Sequence, residues 1–264
     1  MRHGLPLGQM RIAACAVLLL CAASILAQEL QPIALPPPRK SGGMPLMEAL
    51  NLRQTIRSIG DRKLPDQTLS DLLWAAFGVN REKGPRGKVG RTAPSAMNLQ
   101  EIDIYVAMPG GVYLYEAVPH RLSPVVAADL RGLANRRPDA AKAPVILIYV
   151  ADSDKKPGPP PGGPPPQGQQ PMQGQPPQGQ PPQQGQPPAP PMPPQQPGAP
   201  PAGTVPGFSE VDTGFIGQNV YLFCASEGLA AWFHGTDKEG LARAMNLREA
   251  QKVLWAQTVG YPAE

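Results

Sequence analysis

Two short stretches carry residue types whose spacing suits the handling of a phosphorylated, ring-bearing molecule. Arg53-Gln54-Thr55-Ile56-Arg57 sets two guanidinium groups and a hydroxyl at alternate positions, where a helix is expected to end. Guanidinium forks with a hydroxyl donor beside them pair well with a phosphate of nearly two negative charges. Downstream, Arg91-Thr92-Ala93-Pro94-Ser95-Ala96-Met97-Asn98 reads as a rigid Pro-Ser turn leading straight into a strand. Its small side chains permit close approach to a flat ring, and its amide can bond a polar ring edge. Each half also has a plainer reading. Arg53 and Arg57, four apart, would line a solvated helix face, and Pro94-Ser95 would be an ordinary turn feeding a hairpin.

Other chemistries fare worse. Beyond the N-terminal leader only His120, His234 and Cys224 remain, too few for a zinc site of the usual ligand count. The same shortage disfavours a Ser-His-Asp triad, and no Gly-x-Ser-x-Gly elbow occurs. Gly84-Pro85-Arg86-Gly87-Lys88 faintly resembles a nucleotide P-loop but fails on spacing, and Val89 stands where Ser or Thr should follow the lysine. With no side chain standing out as nucleophile or general base, redox chemistry would need a borrowed cofactor.

Arg2 and Arg11 precede an apolar run from Ile12 to Ala27 that ends in small residues. It is short for a spanning helix and fits a secretory signal peptide cleaved after Ala27. A lipid anchor on Cys21 or an uncleaved membrane anchor is the lesser alternative. Cleavage removes Cys15 and Cys21, so no intramolecular disulfide can form and the fold must rest on its core. It also lowers the formal charge from +4 to +2, because Arg2 and Arg11 leave. No dense basic stripe argues for nucleic acid.

Between Pro157 and Pro206 lie 22 of the chain's 37 prolines, mixed with glutamine and glycine, so no core can form there. This tract is expected to be a disordered insertion with a polyproline-II bias. Lengthening a connection from about 5 to about 50 residues adds roughly 2 kcal/mol of closure entropy, so residues 44–156 and 207–264 are expected to form a single domain. The tract would be a neutral expansion, a cell-wall spacer or a ligand for proline-binding or other envelope partners.

The elements that must position the two stretches follow from periodicity. Residues 28–43 read as an extended arm. A helix is expected from Pro45 to about Ser58, and a second from Pro65-Asp66 to Gly78. Glu101–Met108 and Val112–Tyr115 read as a hairpin through Pro109-Gly110-Gly111. A helix over about Pro124–Ala134 is expected next, followed by a doubly covered central strand over Pro144–Ala151. Asp212 or Thr213 would cap a long helix to about Ala230, ahead of a short helix through Gly240–Met245 and a strand over Val253–Val259. Helices around a small, mostly antiparallel sheet make the class α+β.

In order and spacing, several segments together resemble the nitroreductase superfamily, nearest its SagB/ThcOx-type dehydrogenase branch. They are Arg53-x-Thr55-x-Arg57, the helix from Leu69 to Gly78, Arg91 to Asn98, Gly111-Val-Tyr-Leu-Tyr115, the helix Gly217 to Leu229 and Thr258-Val-Gly-Tyr-Pro262. The resemblance spans about Met44 to Pro262. It implies a flavoenzyme, an intertwined homodimer holding flavin mononucleotide (FMN) at the subunit interface. Position by position, it implies that Arg53, Thr55 and Arg57 bind the flavin phosphate. Pro94, Ser95, Ala96 and Asn98 would lie along the isoalloxazine ring, and His234-Gly235 would stand near the flavin N5, where relatives place backbone amides. His234 departs from the commoner acidic residue. The chain stops at Glu264, without the basic tail that adds phosphate contacts in some relatives, so the expectation is either a lower flavin affinity or compensation by Arg91. Cys224, Trp74 and Trp232 read as core or dimer contacts.

The resulting expectation is an exported FMN-dependent oxidoreductase passing a hydride through flavin N5 from a small-molecule donor to an organic acceptor. The alternative is a non-catalytic envelope binding protein that keeps the fold and uses the proline-rich loop for partners.

Overall fold

The computed structural model describes residues 30–155 and 207–263, so the leader and the Pro/Gln-rich tract lie outside the described residues. In chain order the strands are β1 (Ile33–Ala34), β2 (Val79–Arg81), β3 (Gly90–Arg91), β4 (Ile102–Met108), β5 (Gly111–Glu116), β6 (Arg121–Val126), β7 (Val145–Asp152), β8 (Ala230–His234) and β9 (Gln251–Gly260). The helices are α1 (Leu46–Leu52), α2 (Asp66–Phe77), α3 (Arg131–Ala134), α4 (Phe208–Ser226) and α5 (Lys238–Ala244). Seven strands form one sheet in the order β1-β6-β5-β4-β7-β9-β8, with every pairing antiparallel. β2 and β3 close the Gly84–Gly90 loop as a separate small ribbon.

The apolar run of β7 explains the layering. Val145, Leu147 and Tyr149 enter one buried cluster with α2 and α4, where Leu72, Leu73, Ile216, Val220 and Cys224 meet them. Ile146, Ile148 and Val150 enter a second, with Leu241 and Met245 from the α5 region. Side chains alternate across a strand, so a strand apolar at every position needs cover on both faces. The α+β architecture expected from the sequence is the one that forms, and the sheet draws strands from both sides of the proline-rich tract.

Several elements differ from their sequence expectation, each for an identifiable reason. The first helix ends at Leu52, six residues early, because Ile56 N–H donates to Ala231 O of β8 and draws residues 53–58 out of the helix towards that strand. The helix expected over Pro124–Ala134 gives way at its start to strand β6, which holds residues 124–126, and only Arg131–Ala134 is helical. Val125 and Val126 favour a strand, and a register shift at Val112/Tyr113 accommodates Pro124, where β1 supplies no partner. Helix α4 begins at Phe208, leaving Asp212 and Thr213 buried within it instead of capping it. It also stops at Ser226: Gly228, at φ +66°, lets Leu229 N–H reach back to Cys224 O, a glycine stop that frees residues 230–234 to become edge strand β8.

Candidate functional site

Because residues 53–58 are not helical, the Arg53-x-Thr55-x-Arg57 spacing does not follow helical turns. Contacts with α4 and β8 instead gather the three polar groups into a strip. Arg53 lies over the Tyr221 ring, its guanidinium carbon 5.5 Å from the centroid, and Arg57 lies over Trp232 at 5.8 Å. Thr55 Oγ1 is 3.1 Å from the Tyr221 hydroxyl, which also accepts from Phe233 N–H at 2.8 Å. Among the described residues neither Arg53 nor Arg57 has a carboxylate within ion-pair distance. Their planar faces rest on aromatic rings, and the N–H donors at their edges have no acidic partner.

His234 joins this group through Trp232, ring to ring at 4.6 Å. Its Nδ1 faces the Gly235 carbonyl, which can only accept, so Nδ1 carries the proton. Nε2 then accepts from Thr258 Oγ1 at 2.8 Å, and Asn135 Nδ2 donates to the same hydroxyl at 3.0 Å. Burial pushes the imidazole pKa down, which keeps this fully bonded ring neutral. A Cβ at Gly235 would meet nothing within 4 Å, so open space adjoins the backbone there.

The second stretch is built differently. Ala96–Asn98 form a short 3₁₀ turn in which Met97, Asn98 and the following Gln100 all take left-handed φ values of 50°, 53° and 54°. Such angles cost energy in non-glycine residues and persist only where surroundings hold them. Gln100 does most of the holding. Its N–H donates to Ser95 Oγ at 3.0 Å, and its Nε2 donates to Val89 O and to Asn98 Oδ1. Its Oε1 accepts from Arg91 Nε at 2.7 Å. Arg91 also reaches Phe77 O and covers the Phe77 ring, so its donors brace the turn. Asn98 Nδ2 donates to Pro85 O, while Ser95 Oγ accepts from Gln100 N–H. Pro94 introduces the turn, and Met97 at its centre is 44% exposed.

Helix α4 joins the two groups. Ala96 N–H donates to Asp212 Oδ2 at 2.9 Å near the helix start, and Tyr221 carries Arg53 and Thr55 near its end. Nine residues at 1.5 Å per residue separate these anchor points by about 13 Å along the axis. The structure therefore brings Arg53, Thr55, Arg57, His234 and Gly235 together, and separately Arg91, Pro94, Ser95, Ala96 and Asn98. A 220 Å³ cavity lined by Gln54, Ile56, Tyr221 and Gly228 adjoins the first group. A 430 Å³ cavity between the arm residues Arg39–Gly43, α2 and α4 contains no residue of either group.

Beneath the turn, Asp212 is 2% exposed and Glu101 6%, and among the described residues neither buried Glu101 carboxyl oxygen has a hydrogen-bond partner. Burial, opposed by the Ala96 N–H and assisted by the neighbouring Glu101 carboxyl, pushes the Asp212 pKa up to about 6. Sequence reasoning missed Gln100, Glu101 and Tyr221, and it read Asp212 only as a cap. Nothing in residue type or spacing marked them: the contacts of Tyr221 and Asp212 span long sequence separations, and those of Gln100, though local, depend on its burial within the turn.

The model of the nitroreductase family matches residues 50–164. A crystal structure of a candidate nitroreductase from Ralstonia eutropha JMP134 is 33% identical, covering 90% of this chain and 93% of its own, with a TM-score of 0.67. Similarity of fold alone extends to the Escherichia coli microcin synthetase McbBCD complex, at 17% identity, TM-score 0.55 and coverage of 100% of this chain and 85% of that one. It extends also to a candidate nitroreductase from Anabaena variabilis ATCC 29413, at 14% identity, TM-score 0.54 and coverage of 83% and 38%. No curated protein matches.

Proposed function

The chain belongs to the nitroreductase family of oxidoreductases, and on that premise we propose that it is an exported FMN-dependent enzyme whose site closes between two copies of the chain. The observation that carries this reading is the strip itself, with Arg53 and Arg57 propped on Tyr221 and Trp232 beside Thr55 and without carboxylate partners among the described residues. A phosphate supplies the negative charge and acceptor oxygens that this donor set lacks. The strained Pro94–Asn98 turn fits the flat end of the cofactor, with Ser95 supplying a hydroxyl and Ala96 allowing close approach. Arg91 serves this half by holding Gln100, and its role is positioning. The open space at Gly235 fits a ring edge near the backbone, with His234 keeping that backbone in place.

When bound, FMN would supply hydride transfer at N5 between a small-molecule donor and an organic acceptor. The chain's own contribution is to bind, orient and exclude water. Two copies are proposed because Phe208, Val211 and Phe215 recur along one exposed face in the first half of α4, and Leu46, Met47, Leu50 and Leu52 are exposed at α1, which packs on the second half of that helix. Apolar patches of this kind mark interaction surfaces. Covering them with a second copy would also screen Met97 and bring one copy's turn towards the other's strip. The order of motifs supports placement nearest the SagB/ThcOx-type branch.

Purified protein should be yellow, carry one flavin per subunit and lose its colour on addition of a reduced nicotinamide. A colourless chain that takes up no FMN on reconstitution sinks the redox reading in favour of the non-catalytic envelope role. For export, the full chain and a version starting at Gln28 should fractionate to different compartments, and a shared compartment argues against the leader.

A further inference from the structure

We propose that Arg137 is an additional phosphate-facing guanidinium and makes the site select FMN over its dephosphorylated form, riboflavin. The inference rests on the cofactor reading above but on different residues. Arg137 lies over Trp232 with its guanidinium carbon 5.4 Å from the ring centroid, so it and Arg57 share one indole. The two come from segments eighty residues apart in sequence, and a buried network brings them together.

That network starts at Asn135, 2% exposed, whose Nδ2 donates to Thr258 Oγ1 at 3.0 Å and lies 3.2 Å from His234 Nε2. Asn135 Oδ1 accepts from Arg137 N–H at 3.0 Å, fixing the backbone of Arg137 to the ends of β8 and β9. Its placement is thus tied to the same histidine that adjoins Gly235. The facing charges are few. Arg57 has no carboxylate partner among the described residues, His234 is held neutral, and Arg137 donates to Asp139 through Nη2 at 2.9 Å and through Nε at a longer 3.4 Å. Both side chains of that pair are half-exposed or more, and exposed pairs hold weakly. A phosphate dianion can displace or share such a partner, gaining a second fork beside Arg57.

The test is titration of the purified full chain with FMN and with riboflavin, followed by quenching of flavin fluorescence, for wild type, Arg137→Gln and Arg137→Lys. Arg137→Gln is expected to weaken FMN about tenfold, the scale of one charge-assisted hydrogen bond, while leaving riboflavin affinity and the urea midpoint unchanged. Arg137→Lys should recover part of the loss, and inorganic phosphate should compete with FMN less effectively in the Gln variant. Unchanged FMN affinity in Arg137→Gln overturns this inference and leaves the cofactor reading standing. A wild-type chain that binds no FMN overturns both.

Discussion

The Pro94–Gln100 turn and the Arg53–Arg57 strip serve one proposed ligand by opposite constructions. In the turn nearly every polar group is spent internally: Ser95, Asn98, Gln100 and Arg91 bond one another or nearby carbonyls, and three left-handed residues are held under strain. The strip spends almost nothing, with its guanidiniums resting on rings and, among the described residues, only Thr55 making a side-chain hydrogen bond. A turn built this way presents a fixed shape, as a flat ring requires. A strip built this way presents unspent charge, as a phosphate requires. Substitutions in the turn should therefore register as stability, and substitutions in the strip as affinity.

The largest effect expected is from Gln100→Ala. It deletes the side-chain bonds to Arg91, Val89 and Asn98 at once and leaves partly buried donors and acceptors unmatched, at about 1–3 kcal/mol for each unsatisfied group. A loss of about 3 kcal/mol or more is expected in urea unfolding, with flavin binding lost as a consequence. A loss below about 1 kcal/mol would show that the turn is not held by this residue.

The strip should behave in reverse. The double substitution Arg53→Ala and Arg57→Ala removes two charged phosphate donors, so FMN affinity is expected to fall about a hundredfold or more. Thermal midpoint should move by no more than a few degrees, because only two aromatic contacts of about 0.5–1 kcal/mol each are lost at partly exposed sites. Full retention of FMN would place the phosphate elsewhere.

The contrast also explains what could be read in advance. The α+β class, helix α2, the hairpin β4–β5 and the doubly covered β7 followed from periodicity and turn chemistry, because each is dictated by its own residues. The non-helical path of residues 53–58 did not, since a bond to Ala231, far along the chain, overrides local helical spacing. Strand β8 was hidden because its Ala-Ala-Trp-Phe-His sequence continues the apolar pattern of α4, and only Gly228 separates them. Among candidate site residues, charge type at alternate positions revealed the strip. The residues that fix the turn, Gln100 and Asp212, are ordinary in sequence and acquire their roles only by burial.

A smaller effect is expected beneath the turn, and its sign follows from linkage. The folded-state pKa of Asp212, about 6, lies above the unfolded value of about 3.9, so the native state binds the extra proton between them. Stability from this group is complete below about pH 4 and is lost as pH rises through about 6, on the order of 2 kcal/mol. Asp212→Asn should remove that loss. Its amide oxygen can still accept from Ala96 N–H, and its NH₂ can donate to a Glu101 oxygen that has no partner among the described residues. The variant is therefore expected to be more stable than wild type at pH 7.5, by about 1–2 kcal/mol, and equal to it or weaker at pH 4. Melting curves across that range decide the matter, and a wild-type profile parallel to that of the variant refutes the titration.

The smallest effect probes the one bonded group of the strip. Thr55→Val keeps the β-branched shape and removes the hydroxyl beside Tyr221. Tyr221 still accepts from Phe233 N–H, so its oxygen is not left without a partner. Stability should fall by about 0.5–1 kcal/mol, the net value of one neutral hydrogen bond. If Thr55 also faces the phosphate, FMN affinity should fall several-fold while riboflavin affinity holds. Equal losses for the two flavins would mean that Thr55 acts only through Tyr221, making the strip a pair of guanidiniums on aromatic props with the threonine as part of its scaffold.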